Sequence, residues 1–416
     1  MNQFLRYFGS KKIRIITSEP LLILALPISL VSLLLIFILR PFVQVRIGFL
    51  RSDRLGHFAA NTELFICEAY ANKHKPNIKS VSLYYLPRQP CNQQLACMWK
   101  KRLILLPWFL LRPIDLVIRS IGCLSSFHAF EAMGRDRDID NLLDKVPAQL
   151  NFTDEEELRG KLELSDIGVK DGSPFICLTV RDPAYLNALY KSSDTTYHNH
   201  RDSNIQSYVL AVEALADRGY YVVRMGAKVT EPLNSNHPRV IDYASNGMRS
   251  DFMDIYLGAK CFFAISTSTG WDAVPLIFRR PIAYVNMVPL GWLFTFSSKF
   301  LAITKHHISM LDGKELSLRE IFTRGVGFCS LNSDYSANNI VLIDNTPEEI
   351  RDLVVEMAER LEGSFQPRPE DEVLQSKFWE IFPSDAVDVN GVKLHGEIRA
   401  RYGAVFLRNN PEWLET

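Results

Sequence analysis

The chain has 416 residues, with 47 basic and 47 acidic side chains and so a formal net charge of zero. That length exceeds one ordinary core and points to two globular units. The charge balance excludes the broad basic field of a nucleic-acid-binding protein, and a 47% hydrophobic share excludes a disordered chain.

The first element is the uncharged apolar run 21–39, close to the ~20 residues a membrane span needs. It ends at Arg40-Pro41 with no small-residue cleavage site, so it reads as retained and not as a signal peptide. Arg6, Lys11, Lys12 and Arg14 precede it and Arg40, Arg46, Arg51 and Arg54 follow it, so flanking charge does not orient it. Pro27 leaves a re-entrant or interfacial form open, and a buried core helix is the alternative. Residues 1–41 are expected as a membrane-associated anchor.

"VQVRIGFL" (43–50) alternates like a strand. "RSDRLGHFAANTELFICEAYANK" starts as a glycine-bearing turn and becomes a helix, and "IKSVSLYYL" reads as the next strand. The turn gathers Asp53, Gly56, His57, Asn61 and Glu63. The apolar tract 103–111, "LILLPWFLL", lies between Lys100, Lys101, Arg102 and Arg112; it is too short to span and suits either a helix in the headgroup layer or a core helix. The charged stretch 135–170 marks the boundary between units. Within it "DRDID" (136–140) looks like an acidic metal triplet, but its interleaved arginine and the lack of a preceding strand make it a solvated charge run.

A second β/α series begins at "FICLTV" (175–180). "NIQSYVLAVEALADRG" has helical spacing and a glycine stop, with Asp202 or Ser203 as cap. "YYVVRMG", "RVIDYA", "CFFAIS" and "PIAYVN" read as strands, and "DFMDIYLGAK" as a short helix. In "TPEEIRDLVVEMAERLEG", Thr346, Pro347 and Glu349 make a complete amino-terminal signal. Strands alternating with helices imply parallel sheets with helices on both faces. The fold class is therefore α/β, as two doubly wound, Rossmann-like units: residues 42–165 and 166–375, with 376–416 crossing back to the first. Seven cysteines at irregular spacing read as free thiols in a reducing compartment, and no metal-ligand spacing is present.

Candidate chemistry concentrates where strands end. "STSTG" (266–270) follows "CFFAIS" and precedes a helix start. Ser266, Thr267, Ser268 and Thr269 offer hydroxyls, Gly270 allows close approach, and free N–H groups at a helix start favour anions. The alternative is ordinary turn-making and capping. Arg181 follows "FICLTV" and Arg224 lies in "VVRMG"; a guanidinium at a strand end suits phosphate, although such arginines are as often structural. "YHNHRDS" puts His200 and Arg201 in a loop that either closes over a ligand or is simply solvated. Arg249 precedes the helix that feeds "CFFAIS". Asp53 or His57 is the candidate general base on the acceptor side, with Gly56, Asn61 and Glu63 beside them; a helix entry capped by Asp53 is the alternative.

"LGHFAANTEL", "HNHRDS", "RGYYVVRMG", "RSDFMDIYL", "FFAISTSTGWDAVPLIFRRPIAYVN" and "FLRNNPEWL" together resemble a family of bacterial glycosyltransferases found near surface-polysaccharide genes. The resemblance spans about residues 48–414. It implies a GT-B-like fold, with the two units facing a cleft, and a nucleotide-sugar donor. The first loop also looks like the Gly-Asp-type loop of heptosyltransferases, except that Gly56 is followed by His57 and not by aspartate. The expectation is a metal-independent transferase without cofactor, at the cytoplasmic membrane and facing the cytoplasm. It would pass a sugar to a glycan or lipid-linked acceptor. The alternative is a non-catalytic membrane-bound scaffold or glycan-binding protein on the same fold.

Overall fold

The computed structural model describes residues 20–71, 80–87, 89–120, 124, 127–128, 137–189 and 196–415. Arg6, Lys11, Lys12, Arg14, Arg135 and Asp136 lie outside these. The chain divides into two compact units: Met1–Asp136 with Gln149–Asn151, and Arg137–Ala148 with Phe152–Thr416.

The first unit opens with a helix, Pro20–Leu39, that carries no charge and contains Pro27. A parallel sheet follows, built from β1 (Gln44–Phe49), β2 (Ser80–Tyr85) and β3 (Ile104–Leu105) in chain order. The parallel bridge from Ile47 to His128 sets the chain on the side of β1 away from β2, so the order reverses at β1, as a doubly wound unit requires. The tract 103–111 is not one helix. Pro107 disfavours helical geometry at Leu106, so Ile104–Leu105 joins the sheet and the helix starts at Trp108, running to Ser120. That helix buries Leu111, Ile114 and Ile118 against Ile47 of β1, Tyr85 of β2 and Ile36 of the first helix. Tyr85 donates its hydroxyl to the buried Asp115 carboxylate at 2.8 Å, which fixes the helix on the sheet. Among the described residues no helix is long and apolar enough to cross a membrane.

Among the described residues the main sheet of the second unit has seven strands: β4 (Phe175–Thr179), β5 (Tyr221–Met225), β6 (Val240–Ile241), β7 (Ala264–Ser266), β8 (Ile282–Tyr284), β9 (Phe300–Ala302) and, past a separate ribbon of β10 (His306–Ser309) with β11 (Ile340–Ile343), β12 (Arg401–Tyr402). Their order is β12-β9-β8-β7-β4-β5-β6, parallel throughout. Every residue of β4, β5, β7, β8 and β9 is buried, as expected of parallel strands covered on both faces. Chain order reverses between β4 and β7, which makes their carboxyl ends the switch point of a doubly wound sheet.

β10 and β11 pair antiparallel, a ribbon the β/α alternation did not announce. Residues 376–416 place β12 beside β9 and stack Tyr402 on Phe378 at 4.2 Å within the second unit. The "DRDID" segment is solvated only in part: Asp140 is exposed, but Asp138 is not. Asp138 is buried and accepts N–H groups of Leu142 and Leu143, both at 2.7 Å. Arg137 spends its guanidinium on the carbonyls of Leu394, Trp292 and Leu293.

Candidate functional site

At the switch point the loop 266–270 leaves β7 and meets the end of β4. Thr267 donates its N–H to Thr179 O at 3.3 Å and accepts the Arg181 N–H on its hydroxyl at 2.8 Å. The Thr179 and Thr269 hydroxyls lie 3.2 Å apart. Ser266 donates its hydroxyl to Asp272 at 2.8 Å and accepts the Thr269 N–H at 3.3 Å. Three of the four hydroxyls therefore knit the loop together and to β4. The loop's backbone is less committed: among the described residues no partner bonds the N–H of Ser268 or Gly270. Ser268 has φ +60°, a conformation non-glycine residues rarely hold and one that collects at functional sites. Gly270 is exposed and is not among the positive-φ glycines, so its value is lack of bulk, not backbone freedom. The helix that follows, Ala273–Ile277, is only five residues long, and its dipole contributes less than the sequence implied.

Two arginines converge here. Arg201 donates to Ser268 O at 2.6 Å, and its buried Nε has no partner among the described residues. Burial lowers its pKa to about 10, which still leaves it charged at neutral pH. Arg181, two residues past β4, donates Nε to Asp202 at 3.1 Å. A guanidinium carries five N–H donors, so both keep donors for an anion. His200 lies beside Arg201 and fixes itself on Asn332 through both its backbone N–H and Nδ1, each at 2.8 Å. Burial lowers its pKa to about 4, so the ring is neutral. Lys305 is buried against Asp344 at 2.7 Å and the Asp202 carbonyl at 2.6 Å.

The other two candidate arginines are committed elsewhere. Arg224 is buried, bonded to Glu231 O at 2.7 Å and paired with Asp242 at 3.2 Å. Arg249 is paired with Asp254 at 2.5 Å. Both bind their own unit's folded chain. The proposed caps also moved: neither Asp202 nor Ser203 caps the next turn, because Asn204 accepts the Gln206 N–H at 2.8 Å.

Asp272 was not singled out by the sequence. It is buried, takes the Ser266 hydroxyl, and lies within electrostatic reach of Arg201. Burial raises its pKa to about 7, against the opposing pull of Ser266 and Arg201. Its place two residues past Gly270 was the available signal, but burial is not readable from spacing.

In the first unit, Asp53 and Gly56 sit half-buried just ahead of a π-helical turn, His57–Asn61. Such turns are frequent at functional sites. Here the turn brings His57 Nδ1 to 3.3 Å from Asn61 Oδ1. Glu63 differs: it is fully buried and accepts the Gln149 N–H at 3.0 Å, so it serves the packing of its unit. All six described cysteines are free thiols. Among the described residues no group of three or more His, Cys, Asp or Glu could hold a metal ion.

Comparison with family models and with curated proteins gives no match. Among solved structures the chain is similar to a glycosyl transferase family 9 protein of Veillonella parvula. Identity is 14%, over 76% of this chain and 97% of that one, with a TM-score of 0.43. It is also similar to the E. coli ADP-heptose LPS heptosyltransferase II, at 14% identity, 76% and 98% coverage and a TM-score of 0.42. A third likeness is E. coli heptosyltransferase WaaC, solved with ADP-2-deoxy-2-fluoro heptose, at 11% identity, 62% and 93% coverage and a TM-score of 0.30. The functional reading rests on the site's own geometry.

Proposed function

We propose that this protein is a GT-B-type glycosyltransferase whose second unit binds a nucleotide-sugar at the β4–β7 switch point. One observation carries the reading: Arg181 and Arg201 both bond the loop 266–270, at Thr267 and Ser268, in the crevice where doubly wound sheets bind ligands. Fixed cations and amides there neutralise a leaving diphosphate, the term on which such transfer depends most. This supports a reaction that draws on no divalent metal and no cofactor. The first unit takes the acceptor, a glycan or lipid-linked glycan. Asp53 removes the acceptor proton, and His57 in the π-helical turn contacts acceptor or donor. The enzyme works at the cytoplasmic membrane with its sites facing the cytoplasm, where nucleotide-sugars are made.

The test is a panel of nucleotides and nucleotide-sugars scored by thermal stabilisation of the full chain, with Arg201→Lys beside it. At a hundredfold excess over Kd a true donor adds about 2.7 kcal/mol. Arg201→Lys loses the planar fork and is expected to bind at least tenfold more weakly while remaining folded. No stabilisation by any member of the panel sinks the reading. Binding without transfer to any glycan and without slow donor hydrolysis supports a non-catalytic binding protein instead.

A further inference from the structure

The helix Pro20–Leu39 is apolar on every side, a pattern found in buried cores and in membranes. The structure divides its described surface into two stripes. Ser29, Leu33 and Ile36, spaced as one helix face, turn inward. Ile36 lies in the core with Leu111 and Ile114, Leu33 packs against that core, and Ser29 donates to Leu110 O at 3.4 Å. Ile28, Val31, Leu35 and Ile38, also spaced as one face, turn outward and are between 52% and 60% exposed. Phe42, just past the helix, is 75% exposed. Next to Leu110 the chain exposes more apolar surface at Ile104, Leu106 and Phe109. An outer face of this size on a folded unit marks an interaction site.

Charge selects the occupant. No acidic residue occurs in 27–50 or in 93–114, whereas Arg40, Arg46, Lys100, Lys101, Arg102 and Arg112 do. Arg40 and Lys100–Arg102 are exposed at the edges of the apolar surface. Apolar side chains rimmed by cations match the headgroup layer of an anionic bilayer. Geometry then decides between crossing and lying flat. From Ser29 to Ile36 the inner stripe is covered by protein. Within the helix, Pro20–Ile28, nine residues and so about 13 Å at 1.5 Å per residue, precede that covered part. This is less than half of the ~30 Å hydrocarbon thickness. At its other end the helix leads within five residues into β1, whose sheet cannot enter hydrocarbon with an open edge.

We infer that the helix Pro20–Leu39 and the segment 104–109 form one platform that lies in the headgroup layer of an anionic lipid surface without crossing it. The platform holds the first unit at the membrane, and this does not depend on the proposed transfer reaction.

The experiment is flotation of the full chain with vesicles of phosphatidylcholine alone and with 30% phosphatidylglycerol. A Leu35→Asp/Ile38→Asp variant, altered only at exposed positions, is run alongside with circular dichroism as the fold control. Binding is expected to the anionic vesicles, at least tenfold weaker to neutral ones and at least tenfold weaker for the variant. Topology is read in inverted membrane vesicles bearing the chain tagged at both ends, where added protease is expected to remove both tags. Protection of the amino-terminal tag alone means that the helix crosses, and overturns the inference. Equal binding to both vesicle types, or vesicle-independent self-association that the variant abolishes, overturns it as well.

Discussion

Asp272 is the residue on which the site's behaviour with pH turns. Its folded pKa of about 7, raised by burial, lies above the ~3.9 of an exposed aspartate. A group shifted this way adds stability in full below its unfolded pKa, and the contribution is lost as pH rises through about 7. The same titration changes what an incoming anion meets. Protonated Asp272 leaves the Arg201 charge uncompensated, and ionised Asp272 competes with a diphosphate for it. Affinity for the best-stabilising nucleotide-sugar, whose diphosphate diester does not titrate in this range, is therefore expected to fall between pH 6 and 8. Asp272→Asn should flatten that slope, as read by calorimetric titration at fixed ionic strength. An unchanged slope in the variant would remove Asp272 from the account. Arg181 and the serine–threonine loop stand out in sequence because strand ends are where this architecture puts sites, whereas Arg201 is marked only by its charged loop. Arg224 and Arg249 looked the same in sequence. What separates them is contact with the loop: Arg181 and Arg201 bond Thr267 and Ser268, whereas Arg224 and Arg249 bond Asp242 and Asp254, and such contacts are a property of the folded chain.

Among the elements, the helix Pro347–Glu362 was readable in full. Thr346 accepts the Glu349 N–H at 3.2 Å, Glu349 accepts the Thr346 N–H at 2.8 Å, and Gly363 closes the helix at φ +76°. These signals are local, and local chemistry survives translation into structure. The ribbon β10–β11 was missed because its pairing joins segments thirty residues apart and neither strand alternates cleanly. The two features meet at Glu349, which also bonds His306 Nε2 at 3.0 Å, while Glu315 holds Nδ1 at 2.7 Å. Burial alone would lower the His306 pKa, but the two carboxylates outweigh it and raise it to about 10. Thr346→Ala should cost about 1 kcal/mol in urea unfolding, the usual worth of a cap. His306→Gln should destabilise most near pH 6, below the unfolded pKa of ~6.5, with the deficit shrinking as pH rises towards 10. A deficit that grows with pH would mean that His306 is neutral in the folded chain.

For the whole molecule, two units imply separable tasks. The parallel sheet, both site arginines, the loop 266–270 and the closing helices all belong to the second unit. Asp53 and His57 belong to the first. A fragment of residues 137–416 keeps the second unit's sheet and core intact. It is expected to fold cooperatively and to bind the donor within a few-fold of the full chain's affinity, while showing no transfer. The full-length Asp53→Asn variant should reach the same result by chemistry. Donor binding should be unchanged and transfer lower by a factor on the order of 10²–10⁴, the range a positioned base supplies. Parallel measurement of binding and transfer on both proteins makes the test. A fragment that folds but has lost donor affinity by more than tenfold would show that the first unit helps to hold the donor. Normal transfer by Asp53→Asn would pass the proton-removing role to His57, which His57→Gln would then have to abolish.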